Sequence, residues 1–509
     1  MPVLFKNASI SPFMSESKSL SLGLNPLGMR TASEQLFTAL LPGMNVVTLR
    51  VRYYSFYCWL LSNFYKKSKT ETNIYEFRRH IRASELLMAL IHAQRNKGLG
   101  IPGITFATEM VTSDSDTFDI LSGAMPDNKP SGGYWKGALG ALGTYYVASL
   151  QEMGLIAPLV QDSRLYNITK GSESDHITGM QLAEAFEENI GDECSSLFMT
   201  CVQKGEVTRK ELSTLGNKFI SQEMKESKER QLLTEMLLQK DKPSSVWESY
   251  LRKETLLLLL NYLKNNEVKA LSELEFSRYV YEQYQKQIVN SAAAVGWYAY
   301  YLNDSRQFES LRIFSELLVT LHKSKKPGQW ENINEITTII ADDVCQEMGI
   351  TTQTLGEVLE KWPDMKRPDK TMAMAFFQIL DDYVQNHTYH ANKEQMHKLF
   401  HGVRNDAMDS FERLEGLLTK PFREYIKLYL TDDIIYNHYS EAMRKYSQNG
   451  VPTQKLAIEN GYVRWLDYYE ATHSSPRLNT LFNFVIDLGL VVNTKLTDKG
   501  YALIERIEK

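Results

Sequence analysis

Helical periodicity constrains this chain more than any other feature. From about residue 180 to 430 nearly every window sets Leu, Ile, Met and Phe three and four positions apart, with Glu and Lys between them. That is the pattern of amphipathic helices. Segments 210–239, 247–263, 272–302, 308–322 and 371–384 carry it most clearly. Lys242-Pro243, Lys326-Pro327-Gly328, Trp362-Pro363 and Lys420-Pro421 interrupt it, because proline lacks a donor and clashes with the turn before it. A solenoid is not expected, since no period of roughly 30–45 residues repeats. The predicted class is mainly α, and 509 residues suffice for about two to four domains.

Nearer the N-terminus, 31–41 predicts a short helix stopped at Pro42-Gly43, and the run 48–65 predicts another. The latter is too long, and alternates too poorly, for a half-buried strand. Helices continue through 74–94 to the Gly98–Gly103 loop, and 110–133, rich in Ser, Asp, Gly and Pro, predicts a loop or linker. These shifts suggest four segments: a basic helical domain over 1–130, a small module over 131–200, a helical middle over 201–430 and a C-terminal domain over 431–509.

Net charge is −5, from 57 Lys+Arg against 62 Asp+Glu, which excludes a uniformly basic nucleic-acid coat. The charge is uneven, however: the first hundred residues carry 13 bases and five acids, or +8, and the remainder carries −13. Arg50, Arg52, Lys66, Lys67, Arg78, Arg79 and Arg82 lie there among Tyr53, Tyr54, Phe56, Tyr57, Trp59 and Phe64. The bases suit a phosphate-facing surface, or one meeting the acidic remainder of a second copy. The aromatics suit either base stacking or, at this density on a helix, the core.

Four cysteines, Cys58, Cys194, Cys201 and Cys345, make no disulfide framework. Cys194 and Cys201, seven apart, predict a shared buried helix face. The opening Met-Pro-Val-Leu-Phe-Lys-Asn does not read as a signal peptide. The longest apolar stretches, 256–260 and 292–302, fall short of the roughly 20 residues that span a bilayer. A soluble, cytoplasmic protein without a membrane partner is expected.

The C-terminus holds the most specific pattern. Ser475-Pro476 suits a helix start, Leu478, Leu481, Phe482, Val485 and Ile486 form a core face, and Gly489 ends the helix. Leu490-Val491-Val492 begins a strand, Asn493-Thr494-Lys495 is a polar tip, and Leu496-Thr497-Asp498-Lys499-Gly500 leads into a last helix. This order resembles the winged helix-turn-helix domains of bacterial regulators. Residues 144–186 resemble them too: Gly154-Leu155-Ile156 matches Gly489-Leu490-Val491, and Ile168-Thr169-Lys170-Gly171 matches 496–500. Gly137, Gly140 and Gly143, every third residue, weaken the helix of this copy and suit close backbone packing. The resemblance implies two winged-helix-like modules in the helical protein, with a helix in the DNA major groove and a wing on the backbone. Arg477, Asn479, Thr480 and Asn483 would be the reading residues, and Lys495 and Lys499 would meet phosphates. Such modules also serve as protein–protein scaffolds.

Catalytic signatures are sparse. His387, His390, His397 and His401 cluster, and His397 and His401 share a helix face as metal ligands do. No glutamate follows His397, so a zinc-protease motif is not formed. Arg404-Asn405-Asp406 resembles the start of the motif of helical HEPN ribonucleases, but Phe411 and Glu412 stand where those carry histidine. Asp342-Asp343 and Asp381-Asp382 are paired carboxylates without an accompanying lysine-bearing strand motif. A phosphate-binding Gly-rich Lys-Ser/Thr loop is missing, and no cofactor is expected.

The phrase Gly23-Leu-Asn-Pro-Leu-Gly-Met-Arg30 with Leu41-Pro-Gly-Met-Asn45 is similar to one in uncharacterised bacterial proteins near mobile-element and phage-defence genes. The resemblance implies a DNA-associated, non-enzymatic sensor, loader or regulator within a multi-protein complex, with an ATPase or nuclease as partner subunit. The alternatives are a scaffold that never touches nucleic acid and a metal-dependent nuclease centred on 387–406.

Overall fold

The computed structural model describes residues 25–509 apart from 68–72, 122–133, 172–175, 242–249, 324–328, 388–395, 397, 401, 404–405 and 451. The protein is mainly helical, and the described strands are two to four residues long. No helix among the described residues is long and apolar enough to cross a membrane.

Two compact units divide the chain: Met1–Phe37 with Val295–Ser474, and Thr38–Ala294 with Ser475–Lys509. Their joins do not coincide with 130, 200 and 430. Composition marks loops, whereas units are set by packing partners, and the C-terminal segment returns to residues more than four hundred positions earlier, as in the Arg50–Asp487 ion pair.

In the unit Thr38–Ala294 with Ser475–Lys509, the run 48–65 folds as the helix Arg52–Lys67. Its Tyr53, Tyr54, Phe56, Tyr57 and Trp59 are buried. Trp59 packs on Phe186 at 5.2 Å and Phe198 at 5.3 Å between ring centres, and Phe198 stacks on Phe219 at 4.8 Å. These rings come from four helices, and area of this kind dominates core energetics. Two of the helices, Gly179–Ile190 and Arg209–Phe219, begin with capping boxes, Thr178 with Gln181 and Thr208 with Glu211, which satisfy amides that the first turn leaves open. Cys58 and Cys201 are buried, Cys194 half-buried, and all are free thiols.

Two helix–hairpin–helix segments in this unit share their detailed contacts. In one, Gly154 N donates to Gln151 O at 2.9 Å and Leu155 N to Leu150 O at 2.8 Å; in the other, Gly489 N donates to Ile486 O and Leu490 N to Val485 O, both at 2.9 Å. Both glycines are left-handed, with φ 74° and 64°, so each helix ends in a Schellman motif. Strand Ile156–Pro158 pairs antiparallel with Tyr166–Ile168, and Val491–Val492 with Lys495–Leu496. Thr169 Oγ1 donates to Gly154 O at 2.8 Å, and Thr497 Oγ1 to Gly489 O at 2.7 Å.

The match of Gly171 with Gly500 needs correction. The position equivalent to Gly500 is Gly179. A Cβ there would lie 2.1 Å from Leu155 O, and one at Gly500 2.4 Å from Leu490 O, while a Cβ at Gly171 would meet nothing within 4 Å. Only glycine lets the following helix approach the strand this closely. Gly179→Ala and Gly500→Ala should therefore each cost about 1–3 kcal/mol, read by denaturant unfolding. A loss below about 0.5 kcal/mol would mean that the backbone yields.

Among the described residues directly before each segment, no first helix of a helix-turn-helix is found. Residues 466–477 contain no helix, and 134–139 are turns and bends.

The unit Met1–Phe37 with Val295–Ser474 is organised on the helix Ala292–Lys323. Its stretch 303–310 is almost wholly polar yet buried: Asn303, Asp304, Arg306, Gln307, Glu309 and Ser310 are each less than a tenth exposed. Buried polar groups need partners, and these radiate. Ala407 N donates to Asn303 Oδ1 at 3.1 Å, Ser474 N to Asp304 Oδ1 at 2.8 Å, and Ser305 Oγ to Asp382 Oδ2 at 2.6 Å. Ser310 Oγ lies 2.7 Å from Tyr429 Oη. A three-stranded sheet places Tyr462–Trp465 between Glu331–Asn332 and Leu456–Glu459.

Candidate nucleic-acid interface

Three of the candidate arginines of the first hundred residues are structural. Arg50 is 4% exposed and pairs with Asp487 at 2.8 Å. Arg52, 2% exposed, holds Glu229 with Nε at 3.1 Å from Oε1 and Nη2 at 3.2 Å from Oε2, and its Nη1 donates to Lys218 O at 2.7 Å. Arg82 is fully buried and donates to the carbonyls of Gly137 and Trp135. None faces solvent, and the interleaved aromatics are core. The +8 of the segment is correspondingly offset by acids from elsewhere: residues 38–294 and 475–509 together hold 34 bases and 34 acids.

The helix Leu478–Asp487, expected to read bases, packs inward. Arg477, at φ 63°, donates from Nη1 to Met44 O at 2.8 Å. Thr480 is buried and donates to Asn45 O at 2.8 Å. Phe484 meets Tyr54 edge-on at 5.6 Å. Arg230 Nε caps Leu488 O at 2.7 Å from the start of helix Lys228–Leu238, while Gln239 at its end donates to the equivalent carbonyl of Met153 at 3.1 Å. Asn479 is exposed and Asn483 half-exposed. Lys495 stands exposed on the tip strand, and Lys499 pairs with Glu226. Arg477 and Thr480 are therefore removed from the list of groups free to read a base edge.

Arg79 is exposed and Arg78 half-exposed at the start of helix Ile74–Gln94. This helix end lies beside the hairpin Ile156–Pro158/Tyr166–Ile168. Charge on Arg78 helps Arg164 hold the hairpin carboxyl Asp162 down near a pKa of about 2, the hydrogen bond from Arg164 being the larger cause. Tyr75, 66% exposed, stands on the same helix turn, and Arg164 is exposed. Sequence inspection passed over Arg164 and Tyr75, whose signal, an Arg in a hairpin loop, is faint without the tertiary neighbour.

The remaining candidates are dispersed. His387 closes its own helix, Nδ1 lying 3.0 Å from Tyr383 O, and His390, His397, His401, Arg404 and Asn405 lie outside the described residues. Asp342 pairs with Arg423, and Asp382 is buried, its carboxyl pushed up to about 7 chiefly by desolvation. No group of three His, Cys, Asp or Glu among the described residues is placed to hold a metal ion. Comparison with family models, with curated proteins and with solved structures finds nothing that matches the chain.

Proposed function

We propose that this protein is a DNA-associated, non-enzymatic subunit that meets the duplex backbone through the hairpin 156–168 and the adjoining start of helix Ile74–Gln94, not through the helix Leu478–Asp487. What supports this is the solvent-facing pair Arg78 and Arg79 beside exposed Tyr75, next to the hairpin whose Arg164 is held by Asp162 at 2.7 Å. Arginine forks suit phosphate oxygens, and an exposed tyrosine adds a stacking face. Asn483 and Lys495 are a second, smaller contact in the other helix–hairpin–helix segment. Both segments retain the helix–strand–strand–helix order on which the winged-helix likeness rests.

Fluorescence anisotropy with a duplex oligonucleotide tests it. Phosphate contacts from Arg78, Arg79 and Lys495 predict a slope of log K against log salt of about −3. The double variant Arg78→Gln and Arg79→Gln should reduce that slope to about −1, the Lys495 contact remaining, without altering unfolding, because both side chains reach solvent. Absence of binding at low salt would sink the duplex reading. A scaffold for a partner protein would then stand, a reading favoured by the zero formal charge of the unit and the inward-facing Leu478–Asp487 helix.

A further inference from the structure

A cleft of about 510 Å³ lies in the unit Met1–Phe37 with Val295–Ser474. It opens on the π-helix Tyr429–Tyr436, a wide-turn geometry frequent at functional sites. Its walls bring Asp409, Asp432, Asp433 and Glu441 together with Arg306 and Arg413. Acids outnumber bases there, Asp406 included, and the buried group with an unmet donor is Arg306. It comes from the buried polar stretch of helix Ala292–Lys323 and is 6% exposed. Its Nε is buried with no acceptor. The nearest carboxylate oxygen, Asp433 Oδ1, is 3.6 Å from Nη2 and already accepts from Arg413 at 2.6 Å. The Arg306 side chain thus makes no hydrogen bond within the described residues, although leaving a buried charged donor unmet is destabilising. Asp409 and Asp432, in the same cleft lining, are exposed and enter no ion pair among the described residues.

The two halves of the cleft select one chemistry. A plain anion would satisfy Arg306 but meet the surplus of carboxylates. A plain cation would suit Asp409 and Asp432 but leave Arg306 unanswered. We propose that this cleft binds a small zwitterion, its carboxylate on the Arg306 guanidinium and its cationic end between Asp409 and Asp432, as a free basic amino acid would present them. The volume falls in the ordinary range for small-molecule sites. This inference does not depend on contact with DNA, which involves other residues.

Calorimetry on the full chain tests it with three probes. L-arginine carries both charges, agmatine lacks the carboxylate, and L-citrulline lacks the side-chain cation. L-arginine should bind, and agmatine and citrulline should each bind about tenfold or more weakly, the worth of one charge-assisted contact. Arg306→Met leaves Asp433 its Arg413 partner, and should bring arginine down to the affinity of agmatine. If that variant fails to fold, the exposed pair Asp409→Asn and Asp432→Asn replaces it and should equalise arginine and citrulline. Equal binding of agmatine and arginine to the unaltered chain would overturn the proposal. So would the absence of heat with L-arginine up to about 10 mM, below which even a weak site registers.

Discussion

Replacing Arg52 with methionine should lower the stability of its unit by about 3–5 kcal/mol, the usual cost of stranding one member of a buried ion pair. Glu229 is fully buried. Besides the two-pronged contact from Arg52 it accepts from Ser55 Oγ at 2.6 Å and from Asn189 Nδ2. Methionine fills much of the arginine volume, so the loss reports the unpaired carboxylate more than a cavity. The Lys218 and Ile220 carbonyls, which accept from Arg52 Nη1, also lose their donor. Denaturant unfolding followed by the tryptophan signal would read the effect, Trp59 lying in the same core. A loss under about 1 kcal/mol, the range of an exposed pair, would mean that water reaches Glu229. The double variant Arg52→Met with Glu229→Gln should recover part of the loss, because the two residues act on one network.

A comparable loss is expected at Glu85, with a pH signature. Its carboxyl accepts from Ala141 N at 2.9 Å, from Leu142 N at 2.7 Å and from Tyr57 Oη at 2.9 Å. It thereby closes the amide end of the π-helix Leu142–Tyr146. Gly140 makes this approach feasible, since a Cβ there would fall 2.0 Å from Glu85 Oε2. Glu85→Ala would orphan two buried amides and a phenol, and should cost about 3–5 kcal/mol. Burial pushes the Glu85 carboxyl up to about 7 against the opposing pull of these donors and Arg82. The folded state therefore holds the proton more tightly than the unfolded chain. The stability from that proton is fully present below a pH of about 4.5 and lost as pH rises through about 7, a swing on the order of 3 kcal/mol. Unfolding midpoints at pH 5 and pH 8 should differ less in Glu85→Ala than in the parent chain. An unchanged difference would place the titration elsewhere, Asp382 being the other described carboxyl of similar value outside the Arg50–Asp487 ion pair.

Much of the local structure was legible from neighbours in the chain, although the hairpin Leu456–Glu459/Tyr462–Trp465, turned at Asn460-Gly461, was not read. Spacing of apolar residues predicted the helix Arg52–Lys67 and the helical character of 180–430. The Gly-Leu pairs with Ile168-Thr169 and Leu496-Thr497 predicted both hairpins, because a left-handed glycine and the strand after it are decided within a few residues. The glycine spacing at 137, 140 and 143 also pointed to close packing, which Gly140 realises against Glu85.

Charge was not legible in the same way. Summing a segment assigns the arginines of the first hundred residues to one surface. A side chain's partner, however, is fixed by which elements pack together: Arg50 is neutralised by a residue 437 positions away and Arg52 by one 177 away. The polar run 303–310 was visible as a string, but only its burial distinguishes it from a solvated helix face. By itself the sequence determined the mainly helical class and the two hairpins that follow Gly154 and Gly489, both governed by short-range dihedral and hydrophobic periodicity. The tertiary structure alone decided which charges remain available for binding. Desolvation and ion pairing are long-range in sequence, and they consumed Arg50, Arg52 and Arg82 while leaving Arg78, Arg79 and the Arg306 Nε donor without a partner among the described residues.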